Sequence, residues 1–190
     1  MTDENKKMSN EEIEELVKSS KQGDKDAFAK LYDIFLTPIY RYIYYKVNRE
    51  DVEDLTEITF FKIWQNLKKY NNRKGSTFSS WIFRIAHNAI MDHYRSHRSI
   101  SELPVTLSDE KRDNSPVLTT ENVLNSNILR YLLNKLKKNY KQVLILKYIN
   151  QLSNEEIAEI MKKKVGSVRV LQFRALNALR ALIEEEKIKF

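Results

Sequence analysis

Near the C-terminus, the residues around Phe173 combine guanidinium, aromatic and branched aliphatic groups at a spacing that matters. At about 100° per residue, Arg169, Val170, Phe173 and Arg174 fall on one helical arc, while Val168, Leu171, Ala175, Ala178, Leu179 and Leu182 fall on the opposite one. The second arc is a core stripe. The first presents two guanidiniums and a ring where a groove-inserted helix reads bases, since Arg contacts guanine bidentately and apolar groups contact the thymine methyl. Just upstream, Lys162, Lys163 and Lys164 occupy a turn suited to backbone phosphate. A basic, solvated helix end is the plainer reading, and it explains an exposed Phe between arginines poorly.

A second set lies on FSSWIFRIAHNAIMDHYRSHR. Ile82, Ile85, Ala86 and Ala89 form a narrow apolar arc, and Trp81, Arg84, Asn88, Asp92 and Arg95 form a mixed arc beside it. That mixture suits an unpaired strand, with Trp as a stacking surface, Arg for phosphate and Asn for a base edge. Equally, Trp81 can be core and Asp92 can pair with Arg95 at i, i+3. A third set lies on DVEDLTEITFFKIWQNL, apolar on nearly every side, with Glu53, Asp54 and Glu57 on the arc of Phe61 and Trp64. An acidic arc with aromatics suits a basic protein surface, although acids at a helix start also complement its dipole, and for Asp51 that alone suffices.

The elements carrying these residues are helical. The chain of 190 residues has three Gly, three Pro and no Cys, too few turn residues for an all-β fold and no material for a Gly-rich phosphate loop, disulfides or a Cys-zinc site. Capping boxes at Ser9/Glu12 and Ser153/Glu156 open two helices. The periodicity predicts helices over 11–21, a long one from Ala27 onward interrupted or kinked near Pro38, then 51–67, 78–97, 122–135, 139–149, 154–161 and 166–186. The last two have the spacing of a helix-turn-helix. Between 99 and 121 the sequence is rich in Ser, Thr and Pro without helical period, so it reads as a linker joining two small helical domains, 1–98 and 122–190.

Charge follows this division. The net charge is +7, yet residues 1–130 carry 20 basic and 20 acidic side chains, so the whole excess lies beyond them. Trp64–Arg98 holds seven Lys or Arg and one acid, whereas Ser99–Asn125 holds five acids and two bases. Two basic blocks separated by an acidic spacer imply an anionic partner. No stretch approaches the roughly 18 apolar residues of a membrane span, and the N-terminus is charged where a signal peptide is hydrophobic, so a cytoplasmic protein without membrane insertion is expected.

Together GDKDAFAKLYDIF, DVEDLTEITFFKIW, STFSSWIFRIAHNAIMDHYR and LKKNYKQVLILKYINQLSNEEIAEIMKKKVGSVRVLQFRALNALR resemble, in order and spacing, the extracytoplasmic-function group of bacterial sigma factors of the sigma-70 family. Gly23, Gly75 and Gly166 fall where that family usually has glycine. The resemblance implies an all-α fold of two domains, sigma region 2 and region 4, and a function in directing core RNA polymerase to promoters. It implies that Asp51, Glu53, Asp54, Glu57, Phe61 and Trp64 bind the clamp coiled coil of the largest subunit, with the polymerase flap as a second contact. It implies that Asn72, Lys74, Ser76, Phe78, Trp81, Arg84, Asn88, Asp92 and Arg95 hold the melted minus-10 strand. Ser153, Lys163, Lys164, Ser167, Arg169, Val170, Phe173 and Arg174 would then hold the minus-35 duplex, and the acidic linker would thread the polymerase cleft. It leaves room for an anti-sigma factor as a further partner. The chain departs from the family at Ile58, where a carboxylate is common, at Lys137, where Pro is common, and at Val170 and Leu171, where Ser and Arg are frequent; its minus-35 sequence should differ accordingly.

Two other classes compete. A free-standing helix-turn-helix repressor needs only the C-terminal domain and leaves the acidic, aromatic helix without a purpose. An enzyme needs a site that the sequence does not supply: His93 and His97 lie one turn apart beside Asp92, a chelating spacing, but no third ligand is apparent, and neither is a nucleophile with its base. Neither catalysis, cofactor nor metal is therefore expected.

Overall fold

The computed structural model describes residues 8–72, 76–98 and 120–188. Among the described residues there are eight α-helices: α1 (Asn10–Lys21), α2 (Lys25–Tyr44), α3 (Val52–Asn66), α4 (Phe78–Arg98), α5 (Thr120–Lys135), α6 (Lys138–Leu144), α7 (Asn154–Met161) and α8 (Val165–Glu185). The expected linker lies outside the described residues apart from the start of α5, and so does Lys74.

Local chemistry accounts for the boundaries. Both capping boxes are formed, Ser9 with Glu12 and Ser153 with Glu156, and Asp24 caps α2 through the amides of Asp26 and Ala27. Gly23 sits at φ +100°, a conformation that ends α1 and that a side chain would resist. Lys162, at φ 52°, turns the chain from α7 into α8. The expected interruption at Pro38 does not occur: α2 runs through it. Phe35 and Ile39, buried on either side of the proline, hold the helix against the core, and that packing outweighs one lost backbone hydrogen bond. After Leu144 the chain widens into a π-helical turn, Ile145–Ile149, which extends α6 to the expected end.

In the first domain, α2, α3 and α4 bury Leu31, Phe35, Ile39, Tyr42, Leu55, Ile63, Ile82, Phe83, Ala86 and Ile90, with α1 laid across α2. Thr56 and Thr59 are buried in α3 and donate to the carbonyls of Val52 (2.7 Å) and Leu55 (2.6 Å), which removes the cost of burying their hydroxyls. In the second domain α6, α7 and α8 pack about Val143, Leu146, Ile157, Ile160, Val168 and Ala175.

The two domains meet along a seam. At one end α7 lies on the start of α4. At the other, α5 meets the end of α2, where the Arg130 guanidinium donates to the Val47 carbonyl and lies 4.8 Å over the Tyr44 ring, and α6 meets α4, where Gln142 approaches His87 at 3.5 Å. Among the described residues, no helix is long and apolar enough to cross a membrane.

Candidate nucleic-acid interface

The recognition arc on α8 stands where the periodicity puts it. Val168 and Ala175 are fully buried, whereas Phe173 is 67% exposed and Val170 50% exposed, with Arg169 and Arg174 exposed beside them. Ser167, Lys163 and Lys164 are exposed at the N-terminal end of the same helix, where backbone amides and the helix dipole add to the attraction for phosphate. Ser153 is the cap of α7, its hydroxyl accepting from the Glu156 amide at 3.1 Å, so its side chain is already engaged in folding.

On α3 one helix serves two environments. Val52, Leu55, Phe60 and Ile63 are buried, while Ile58, Phe61 and Trp64 are exposed, Phe61 by 61%. Glu53, Asp54 and Glu57 are exposed alongside them, and Trp64 is steadied by an edge contact with Phe28 at 4.6 Å. Asp51 departs from this group. It makes no capping hydrogen bond to α3, and its carboxylate lies 3.3 Å from His93 Nε2 at the far end of α4.

The α4 set differs most from expectation. Phe78 is 2% exposed and Trp81 9% exposed. They stack on each other at 5.5 Å and pack on Tyr70, each at 5.2 Å, so both rings lie in the core and neither is presented to a strand in this arrangement. The core reading of Trp81 wins because the turn before α4 brings Tyr70 onto that side, a tertiary contact that helix periodicity does not contain. Asp92 is an ion-pair bridge, 3.1 Å from Lys62 and 3.3 Å from Arg95; Asn72, Asn88, Asp92 and Arg95 are exposed, and Ser76 and Arg84 are half-buried.

The remaining members are covered by α7. Glu159 accepts from Ser76 Oγ at 2.9 Å and Arg84 at 3.1 Å, and also from Ser80 Oγ; Glu156 accepts from Thr77 Oγ1 at 2.7 Å. Two carboxylates thus occupy the hydroxyl and guanidinium groups that suit phosphate. Beside them, Asn72, Ser76 and Thr77 line an open cleft with Glu11, Glu14, Glu155 and Glu156, an acidic surround that repels a polyanion. Sequence reasoning missed Glu156 and Glu159, since nothing local signals a carboxylate that pairs with another domain.

Ionisation along the seam follows burial. Burial and the neighbouring Lys46 and Lys162 lower the His87 pKa to about 4. Burial, with Lys141 nearby, lowers Lys46 to about 7, and burial, with Arg130 nearby, lowers Lys141 to about 8.

Comparison with known proteins identifies the family. Residues 31–100 match Sigma-70 region 2, and residues 126–179 match Sigma-70, region 4. The ECF RNA polymerase sigma factor SigW of Bacillus subtilis is 31% identical over 185 residues, which cover 91% of this chain and 97% of SigW. The chain belongs to the extracytoplasmic-function sigma factors. BldN of Streptomyces coelicolor, another factor of this group, is 31% identical over 90% of this chain, which spans 66% of BldN's length. The fold of this sigma factor is also that of CnrH, solved in complex with the cytosolic domain of CnrY (TM-score 0.69, 22% identity, 90% of this chain and 96% of that one). It is shared by RpoE of Bartonella quintana, solved with the anti-sigma factor NepR (TM-score 0.67, 19% identity, 83% and 96%). As a sigma factor the protein binds core RNA polymerase and promoter DNA and directs transcription initiation.

Proposed function

We infer that this sigma factor divides its work among three faces. Glu53, Asp54, Glu57, Phe61 and Trp64 on α3 dock on the basic clamp coiled coil of the polymerase's largest subunit, and the C-terminal domain rests on the flap. Arg169, Val170, Phe173 and Arg174 read the minus-35 duplex in the major groove, with Lys163, Lys164 and Ser167 on the flanking phosphates. Ser76, Arg84, Asn88 and the loop carrying Asn72 and Lys74 hold the melted minus-10 strand, once α7 has left them. Domain boundaries at 1–98 and 122–190, with the intervening acidic segment as linker, follow from this division. The protein is not itself a catalyst. It lowers the barrier to promoter opening by binding the unpaired strand better than the duplex, and it acts in the cytoplasm, at the nucleoid, through polymerase.

One observation carries the reading: two separate faces, on α3 and on α8, expose large apolar residues that none of the described residues covers, and each is flanked by charge of the sign its partner lacks. A lone repressor has no use for the first of them. An anti-sigma factor, the kind of partner with which RpoE of Bartonella quintana was solved, would bind across the same faces.

The decisive experiment is transcription by bacterial core polymerase from a random promoter library, with and without the protein. Transcripts that appear only with the protein, downstream of a shared two-part motif, are the expected result. Duplex binding by the protein alone, without co-elution with polymerase, would restore the repressor.

A further inference from the structure

The helix pair α3 and α4 assembles a group of ligands that neither helix contains alone. His93 and His97 stand one turn apart in the last turns of α4, their rings 4.0 Å apart. Asp51, which opens α3, brings Oδ2 to 3.3 Å from His93 Nε2. One ligand atom from each of the three residues lies within 4.8 Å of the other two. Asp92, the acid adjacent in sequence, is turned away to Lys62 and Arg95.

We propose that Asp51, His93 and His97 form a binding site for a divalent first-row transition cation of the zinc class. The donor chemistry fits: two imidazoles and one carboxylate, with a fourth position left to water, is a common ligand set for Zn²⁺. The geometry is nearly in place. Ligand atoms at about 2.0–2.1 Å from a tetrahedral zinc are about 3.3 Å from one another, the separation that Asp51 and His93 already have. His97, exposed, has a ligand atom within 4.8 Å of those of the other two, so the gap left to coordination distance is small.

Supporting groups also point the right way. His97 Nδ1 lies 2.9 Å from the His93 carbonyl, so Nδ1 carries the proton and donates to it, leaving the Nε2 lone pair free for a metal. The Asp51 carboxylate is not spent on capping α3. Asp51 and His93 are largely shielded, with side chains 24% and 14% exposed, so the cation would replace part of their hydration without being sealed from exchange. Bound there, it would tie the start of α3 to the last turns of α4 and withdraw Asp51 from any other partner.

The test uses the full chain without an affinity tag, titrated with Zn²⁺ by calorimetry and with Co²⁺ by visible absorption. Expected are one saturable site and the intense d–d bands of four-coordinate Co²⁺. His97→Ala and Asp51→Asn should each weaken binding at least about tenfold, while Asp92→Asn should leave it unchanged. His97 is exposed and its replacement spares the core, so that variant remains decisive even if Asp51→Asn disturbs folding. Binding that is indifferent to His97→Ala, a pale six-coordinate Co²⁺ spectrum, or no saturable binding would each overturn the proposal and leave Asp51–His93 as an ion pair alone.

Discussion

The carboxylate of Glu159 should control how often the minus-10 face is open. It is 22% exposed and Arg84 is 38% exposed, so their attraction is partly screened and counts for less than a buried pair. Hydrogen bonds from Ser76 and Ser80 to a charged oxygen add to it. Allowing for screening, the cluster should favour the closed seam by about 1–2 kcal/mol, a factor of roughly 5–30 in the ratio of closed to open chains. Glu159→Ala removes it without touching the capping box, which belongs to Ser153 and Glu156. The chain has no cysteine, so a pair introduced at the exposed Lys30 and Arg180 can be labelled without background and read by single-molecule energy transfer. The open fraction should rise by that factor. Affinity for a single strand should rise in the same proportion while closed chains dominate, because binding is reduced by the competent fraction. A ratio that stays within twofold of the parent would refute the idea that Glu159 holds the seam.

Other outcomes follow from the same surfaces. Arg174→Ala should weaken specific minus-35 binding by about 1–3 kcal/mol with polymerase affinity intact, measured by competition between promoter variants; a uniform loss on all sequences would make Arg174 a phosphate contact. Phe61→Ser, at an exposed position, should lower affinity for core polymerase in co-elution or calorimetry while the melting temperature stays within a degree or two of the parent's. Trp81→Ala should cost about 3–5 kcal/mol of stability in urea unfolding, since the ring is core; wild-type stability with defective promoter melting would return it to the DNA face. Lowering pH should open the seam. Its closed form holds His87 and Lys46 below their ordinary pKa values, so it binds fewer protons than the open form; closure weakens from about pH 10.5 to 7 through Lys46 and again from about 6.5 to 4 through His87, as energy transfer against pH would show.

Local features were legible in the sequence and tertiary ones were not. Both capping boxes, the helix-turn-helix and the divided faces of α3 and α8 depend on spacing within one helix, and each stands where the residues indicate. Trp81, Asp51 and Arg84 were ambiguous because their surroundings come from Tyr70, His93 and Glu159, residues on other elements. The same limit hid a third group beside His93 and His97. The continuity of α2 through Pro38 has a related reason: the cost of a proline in a helix is local, whereas the packing of Phe35 and Ile39 that offsets it is not.

The seam itself is built unevenly, and that unevenness suggests how a partner could part it. At the α7 end, carboxylates meet hydroxyls and a guanidinium, a pairing that favours closure. At the other end Lys46, Lys141, Arg130 and His87 lie close together, where burial first and the neighbouring cations second hold Lys46, Lys141 and His87 below their ordinary pKa values. Closure is therefore a balance, since the second end offsets the hydrogen bond and cation–π contact of Arg130 with the cost of burying its cations. A surface that competes for Glu156 and Glu159, or a polyanion that draws the cations outward, shifts that balance the same way. Parting the seam would therefore require only the loss of the Glu156 and Glu159 contacts, since the opposite end gains hydration when it opens.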